Sequence, residues 1–426
     1  KMKATLLKQE FLDQKHNDLL VDIYEDASLL DYQIKRYASA IDKFVELYGD
    51  QEVSIYSGAG RSEVSGNHTD HQHGCVLAAS INLDAIGVVA PQENVVKVLS
   101  DDFDIKPIDI NDLEMREEEL GTSEGLIRGV LFKLKELGYK IGGFKAFITS
   151  DVLVGAGLSS SAAFETIIGT IIDGLYNNME IDMVTIAKVG QFAENVYFGK
   201  PCGLMDQCAC AVGGLINIDF KDTSKPVIRH IDVDFSKYNH SLCIVDTKGS
   251  HADLTDEYAA MPVEMKKVAA FLGKEVLREV DEDDFMNNIA ALREACGDRA
   301  VLRAFHFFKE NARVPKIVEA LTNDDFKGFL QGIKESGLSS YTYLQNVYCC
   351  KDPQSQAVSI GICMSDGILQ DHGVVRVHGG GLAGTIQAFV ENDFVQEYKE
   401  GIEKVFGKGS CHVLKVRKYG GFKVIG

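Results

Sequence analysis

A glycine- and serine-rich segment contains residue types that suit the binding of phosphate. Gly155 and Gly157 allow the backbone to approach a ligand closely, and Ser159, Ser160 and Ser161 follow at the start of a helical pattern. Unpaired N–H groups in the first turn of a helix attract an anion, and a serine hydroxyl can ligate magnesium. The segment lacks the lysine of a Walker A loop and the third glycine of a dinucleotide fingerprint. It predicts a phosphate cradle of another kind, with a glycine turn and serine caps as the structural alternative.

Three other segments accompany this loop along the chain. They begin at Gly60, Gly203 and Gly379 and read GRSEVSGNHTDHQHG, GLMDQ and GGGLAG. Together with the phosphate loop they resemble the GHMP family of small-molecule kinases, and the first looks like the signature of its galactokinase branch. The stretch RAFHFFKENARVPKIVEAL is similar to the helical region between the later blocks, so the resemblance covers about residues 50–390. Several blocks in the same order argue against a chance match.

The resemblance implies a role for two charged residues. Asp206 matches the carboxylate that faces the anomeric hydroxyl of a sugar, and Arg61 matches the arginine beside it. A carboxylate next to a guanidinium stays ionised and can accept the hydroxyl proton, while the guanidinium counters charge on the phosphoryl group. A loose transition state requires little early deprotonation, so Asp206 acts either as a base or as an orienting group. Helix capping is the structural alternative for this residue.

The other site residues are carried over from the same resemblance. Ser161 and Glu194 match magnesium ligands, although a glutamate on an amphipathic helix is more often exposed to solvent. Four residues match positions that hold the sugar, namely His68, Asp70, Gly203 and Tyr258. A tyrosine at position 258 also suits packing of its helix.

One departure from the family pattern concerns the choice of sugar. Asn67 stands where galactokinases carry a glutamate. A glutamate facing the sixth carbon of the sugar would repel the carboxylate of galacturonate, whereas an asparagine would not. We therefore predict that Asn67 contacts the sugar and that it relaxes the exclusion of a uronate. The nearby His68, His71 and His73 lack an acidic or cysteine partner to complete a zinc site.

Hydrophobic patterns predict the elements that would position these residues. A run rich in small and β-branched residues predicts buried strand over Cys75–Ala90, and Phe144–Ile148 alternates as a strand before the phosphate loop. Apolar residues at helical spacing predict helices in residues 1–50, Ser123–Leu137 with Ser123 as its cap, Val184–Phe198, Val301–Lys309 and Val314–Leu321. The phosphate loop thus joins a strand to a helix, and Glu194 lies on the helix that follows.

Composition and charge exclude several classes of function. The 426 residues include 44 Lys and Arg against 63 Asp and Glu, a formal net charge of −19. This charge disfavours nucleic acid and anionic membrane surfaces as partners, whereas backbone N–H groups can still bind a small phosphorylated ligand. The ten cysteines are scattered, and the N-terminus lacks a basic segment followed by an apolar run. We therefore expect a cytoplasmic protein, and the resemblance implies that its partner is a small-molecule sugar.

These observations lead to one working hypothesis. The resemblance implies an α+β fold of two GHMP kinase domains with the active site between them. We expect the first domain at residues 1–225, with a helical N-terminal extension and the ATP loop, and the second at 226–426. The implied reaction transfers the γ-phosphate of ATP, with Mg²⁺, to the 1-hydroxyl of D-galactose. The alternatives are a galacturonate 1-kinase and a sensor that binds sugar and ATP without turnover.

Overall fold

Two β-sheets and the helices packed on them make up the chain, which a computed structural model describes for residues 1–249 and 254–426. The strands in this part of the chain are β1 (Met2–Lys3), β2 (Glu52–Ser65), β3 (Cys75–Gln92), β4 (Val95–Ser100), β5 (Phe103–Asp109), β6 (Gly143–Ser150), β7 (Leu215–Asp219), β8 (Val227–Ile231), β9 (His240–Asp246), β10 (Gly373–His378), β11 (Thr385–Glu391), β12 (Cys411–Leu414) and β13 (Phe422–Ile425). The predicted α+β class is confirmed.

Helices connect these strands. They are α1 (Ala4–Leu12), α2 (Asn17–Tyr24), α3 (Leu30–Tyr48), α4 (Ser123–Glu136), α5 (Ser160–Tyr176), α6 (Met183–Phe192), α7 (Met205–Val212), α8 (Thr255–Phe271), α9 (Glu282–Asn287), α10 (Ile289–Cys296), α11 (Asp298–Thr322), α12 (Phe326–Ser339), α13 (Ala357–Leu369) and α14 (Val395–Phe406). None of the helices in the described ranges is both long and apolar enough to cross a membrane.

The first sheet is built around the long strand β3. Its spatial order is β1-β2-β3-β6-β4-β5, with β13 beside β2 and the β7-β8 hairpin beside the first part of β3. Neighbours are antiparallel except for β4 and β6. Helices α4 to α7 contribute to the apolar core on one face, and α1 to α3 cover the other face. Both faces are therefore buried, which explains why β2 and β3 read as nearly continuous buried runs.

The second sheet has the order β10-β11-β9-β12, with α13 and α14 against it. A further apolar cluster contains residues from β3, β9 and β11 together with α11 and α12, so it joins the two halves of the chain. The strand β13 returns to the first sheet and pairs with β2. The division into residues 1–225 and 226–426 stays a prediction.

Local details of two predicted helices differ from the sequence expectation. Thr122, not Ser123, is the N-cap of α4, because its hydroxyl accepts a hydrogen bond from the N–H of Gly125 at 3.2 Å. The two patterns at Val301–Lys309 and Val314–Leu321 belong to the single helix α11, which continues through Pro315. Buried residues on both sides of the proline pack against neighbouring elements, and this packing outweighs the lost backbone hydrogen bond.

Candidate active site

A cavity of about 480 Å³ brings most of the predicted site residues together. Its lining includes eleven of them, namely Arg61, His68, Asp70, Gly155, Gly157, Ser159, Ser160, Ser161, Glu194, Gly203 and Asp206. Asn67 and Tyr258 are not among its lining residues. Segments from β2, the β6–α5 loop, the region around α7 and the Gly379-Gly380 turn thus meet at one place.

The phosphate loop is held in a conformation that exposes its backbone. Gly155 and Gly157 have positive φ angles of 79° and 71°, and the φ of Ser159 is 60°, which is uncommon for a residue with a side chain. Helix α5 begins directly afterwards, at Ser160. The side chain of Ser159 makes no capping hydrogen bond to this helix. The Ser159 side chain thus leaves the first-turn N–H groups available to an anion, and phosphate binding at this loop stays a prediction.

Arg61 connects this loop to Asp206. Its Nε donates to Oδ1 of Asp206 at 2.7 Å, and its Nη1 donates to the carbonyl of Gly157 at 2.8 Å. The arginine side chain is only 10% exposed, whereas that of Asp206 is 35% exposed, so a ligand can reach the carboxylate. Arg61 is thus fixed between the loop and the acid.

The surroundings of Asp206 keep its carboxyl group ionised. Burial alone would raise its pKa, but the Arg61 guanidinium and the Ser159 hydroxyl hold the pKa below its usual range. Asp206 is the second residue of α7, and that helix has no side-chain cap. The side chain therefore pairs with Arg61, and the helix-capping alternative does not describe it.

Four polar side chains surround the position expected to bind magnesium. Glu194 lies in a short π-helical turn that continues α6, and it is 4% exposed, unlike a typical glutamate on a helix surface. Its Oε1 accepts a long hydrogen bond of 3.3 Å from the Ser161 hydroxyl, and its Oε2 accepts one of 2.8 Å from Gln207. Glu165 lies one turn after Ser161 on α5 and also accepts from Gln207, at 3.2 Å.

This group of side chains fits a divalent cation. The Oε1 atom of Glu165 is buried without a hydrogen-bond partner in the described chain. Burial and the adjacent Glu194 carboxylate raise the pKa of Glu165 well above its usual range. Magnesium prefers hard oxygen ligands, and a cation here would relieve the repulsion between the two carboxylates. Ser161 and Glu194 are thus suitably placed as ligands, with Glu165 behind them.

His68, Asp70 and Gly203 also line the cavity. A ring nitrogen of His68 lies 3.3 Å from the carbonyl of Gly380. Burial and the carboxylates of Glu63 and Asp206 raise the pKa of Asp70, although His68 opposes this effect. A side-chain carbon at Gly203 would lie 3.7 Å from Oδ2 of Asp70, so this glycine leaves the carboxylate accessible. These polar groups suit the hydroxyls of a sugar.

The position of Asn67 differs from the sequence expectation that this residue contacts the sugar. Its side chain is fully buried, and all four of its hydrogen-bonding positions are used within the protein. The amide nitrogen donates to Glu63 at 3.1 Å and to the carbonyl of Gly379 at 2.7 Å, while its oxygen accepts from Ser340 and Asn346. The predicted contact of Asn67 with the sugar therefore has no place in this geometry, and Asn67 positions the cavity wall instead.

Tyr258 also lies behind the cavity wall. Its hydroxyl donates to the carbonyl of Gly381 at 2.5 Å, and its ring lies against Gly380. Burial raises the pKa of this phenol to about 12, so it is neutral and acts as a donor. The structure places Tyr258 next to the glycine turn that the cavity includes, and its contact with the sugar stays a prediction.

Sequence reasoning missed several residues that line the cavity or support it. Glu63 and Lys200 line the cavity, as do Leu153, Leu158, Cys202, Met205, Gly379 and Gly380. Glu63 lies two positions after Arg61 on β2, so the period of a strand could have placed it on the same face. Glu165 follows Ser161 at helical spacing, which could have indicated a second carboxylate near the metal ligands.

Two family profiles match the segments that build this cavity. The profile described as GHMP kinases N terminal domain matches residues 125–214, and the galactokinase galactose-binding signature matches residues 42–91. The phosphate loop and Asp206 lie in the first, and Arg61 lies in the second. These matches confirm the predicted resemblance to the GHMP kinase family. Sequence relatives of the chain include galactokinases.

The relatives are similar over most of their length. The galactokinase of Streptomyces coelicolor is 29% identical over 381 residues, which are 88% of this chain and 94% of that protein. The galactokinase of Limosilactobacillus reuteri is 26% identical over 376 residues, 85% of this chain and 92% of the relative.

Solved structures confirm the predicted fold. The crystal structure of Lactococcus lactis galactokinase complexed with galactose has a TM-score of 0.73 at 24% identity, covering 90% of this chain and 98% of that one. The Methanococcus jannaschii mevalonate kinase has a TM-score of 0.61 at 15% identity, covering 86% and 98% of the two chains.

Proposed function

We propose that this chain is an ATP-dependent galactose 1-kinase, which forms galactose 1-phosphate and ADP. The observation that carries the proposal is the Arg61–Asp206 pair, which lies between the phosphate loop and the polar residues suited to a sugar. The galactose-binding signature over residues 42–91 and the galactokinase relatives support the choice of sugar. A sensor without turnover has no need of an ionised carboxylate held against an arginine at this position.

Asp206 and Arg61 divide the chemistry at the reacting hydroxyl. The Asp206 carboxylate accepts a hydrogen bond from the 1-hydroxyl, orients its oxygen toward the γ-phosphate and accepts the proton as the new bond forms. Arg61 keeps that carboxylate ionised and places positive charge where the phosphoryl group crosses between ATP and the sugar. Because Arg61 is also bonded to Gly157, the acid and the phosphate loop keep a fixed relative position.

The start of α5 binds the phosphates in this scheme. The N–H groups of Ser160 and Ser161 face phosphate oxygens, and the positive end of the helix favours their negative charge. Ser161 and Glu194 would hold Mg²⁺, which neutralises phosphate charge when bound. Lys200 adds a cation to the same cavity.

Galactose should be strongly preferred over galacturonate. The carboxylates of Glu63, Asp70 and Asp206 line the cavity and would repel the carboxylate of galacturonate. Asn67, which stands in place of a glutamate and so left a uronate as a possible substrate, does not line it. The test is a coupled ADP-release assay with ATP, Mg²⁺ and a panel of neutral hexoses and hexuronates. We expect the highest kcat/KM with D-galactose. A higher kcat/KM with D-galacturonate would replace the proposed function by a galacturonate 1-kinase, and binding without turnover of any sugar would favour a sensor.

Removal of either predicted metal ligand should raise the magnesium requirement. Magnesium keeps waters and phosphate oxygens as ligands, so loss of one protein ligand weakens its binding without abolishing it. We expect Ser161→Ala and Glu194→Gln each to raise the half-saturating Mg²⁺ concentration at least roughly tenfold. Glu180→Gln, at an exposed carboxylate, serves as the control. Unchanged magnesium titrations in both variants would mean that other oxygens hold the metal.

A further inference from the structure

Glu63 on β2 is a further carboxylate that faces the same cavity as the Arg61–Asp206 pair. Glu63 lies two residues beyond Arg61, where β2 pairs regularly with β3, so both side chains are on one face of the strand. Two residues of a strand span roughly 6.6 Å. Glu63 therefore lines the cavity at a distance from the reacting end that a hexose with its substituents can bridge.

The carboxylate of Glu63 is held in place as an anion. Its Oε1 accepts from Arg376 at 2.6 Å and from the amide of Asn67 at 3.1 Å. Burial opposes ionisation, yet the charge of Arg376 lowers the pKa of Glu63 to about 2. Within the described ranges, the only hydrogen bond to Oε2 is a long one, 3.5 Å, from Asn67. One carboxylate oxygen thus retains the capacity to accept from a ligand hydroxyl.

We propose that Glu63 selects uncharged hexoses over hexuronates, by accepting a hydrogen bond from a sugar hydroxyl and repelling a sugar carboxylate. This inference rests on the proposed function, the phosphorylation of a sugar. Asn67 is its positioning residue, because its amide joins Glu63 to the carbonyl of Gly379, which also lines the cavity. Arg376 offsets only part of the repulsion of a uronate, because Glu63 lines the cavity and the guanidinium of Arg376 does not.

The test compares kcat/KM for D-galactose and D-galacturonate in the full chain. Glu63→Gln keeps the shape of the side chain and removes its charge, so we expect the galactose-to-galacturonate ratio to fall at least tenfold. Most of this change should come from a lower KM for galacturonate, which a merely structural defect would not produce. Glu52→Gln, at an exposed carboxylate on the same strand, is the matched control and should leave the ratio unchanged.

Glu63→Gln leaves Arg376 buried without its partner, so thermal unfolding is measured for each variant. If the single variant does not fold, the double variant Glu63→Gln, Arg376→Gln, which removes both charges, decides the question. An unchanged ratio in the folded variant overturns the role of Glu63 and leaves the proposed function standing. A wild-type preference for galacturonate overturns both. Absence of turnover with every sugar overturns the proposed function instead, and calorimetric binding of the two sugars then tests Glu63 separately.

Discussion

Asp206→Asn is expected to lower kcat for galactose by roughly 10²–10⁴-fold while the protein stays folded. The amide keeps the size and shape of the carboxylate, but it can neither accept the hydroxyl proton nor balance the charge of Arg61. Because Arg61 retains its bond to Gly157, the phosphate loop should keep its position in the variant. The measurement is kcat at saturating ATP, Mg²⁺ and galactose, together with thermal unfolding of the variant.

The matched control is Asp366→Asn, at an exposed carboxylate on α13. We expect that variant to keep the wild-type kcat. Galactose affinity provides a second readout for Asp206→Asn. Loss of a group that acts mainly in the transition state lowers kcat more than it weakens substrate binding. A kcat within threefold of wild type in the Asp206 variant would remove this residue from the chemistry.

The sequence predicts those parts of the site whose geometry is local. The phosphate loop depends on glycines at which φ is positive and on the helix that follows directly, and both are visible in a short window. The long helix α11 is less local. The sequence predicts two separate segments, Val301–Lys309 and Val314–Leu321, and only packing on both sides of Pro315 shows that they form one helix.

Asn67 illustrates what a local pattern does not contain. Gly66 and His68 both have positive φ angles, 90° and 56°, so the chain turns sharply around this residue and directs its amide into the protein. The partners Ser340, Asn346 and Gly379 lie more than 270 positions later in the chain. No spacing within the motif indicates that these residues would saturate the amide. The same long-range contacts leave Glu63, and not Asn67, at the cavity wall.

The helical N-terminal extension is held to the rest of the chain by a buried carboxylate. Asp84 on β3 accepts from Arg36 of α3 at 2.7 Å and from Arg417 at 2.8 Å, and it also accepts from Tyr24 and Ser57. Its side chain is completely buried. The residues before β2, the first sheet and the C-terminal segment therefore share one ion cluster, which assigns a structural role to the first 50 residues.

Asp84→Asn should lower the free energy of unfolding at neutral pH by about 3–5 kcal/mol, because it removes the buried carboxylate that pairs with Arg417 and leaves Arg36 with Asp151 alone. Chemical denaturation measures this change. Asp31→Asn, at an exposed position of α3, is the control and should change stability by less than about 0.5 kcal/mol. A loss below about 1 kcal/mol in the Asp84 variant would show that Arg36 and Arg417 find other partners.

The stability difference between the wild type and Asp84→Asn should also depend on pH in a defined direction. Burial would raise the pKa of Asp84, but Arg36 and Arg417 lower it to about 2, whereas in the unfolded chain it should be about 3.9. A carboxyl group whose folded pKa is depressed stabilises the protein fully above its unfolded pKa. That contribution is lost as the pH falls through the folded value. The difference should therefore be constant above about pH 5 and shrink by about 1.8 kcal/mol between pH 4 and 2. Denaturation curves at several pH values measure it, and a difference that stays constant down to pH 2 would contradict an ionised Asp84 in the cluster.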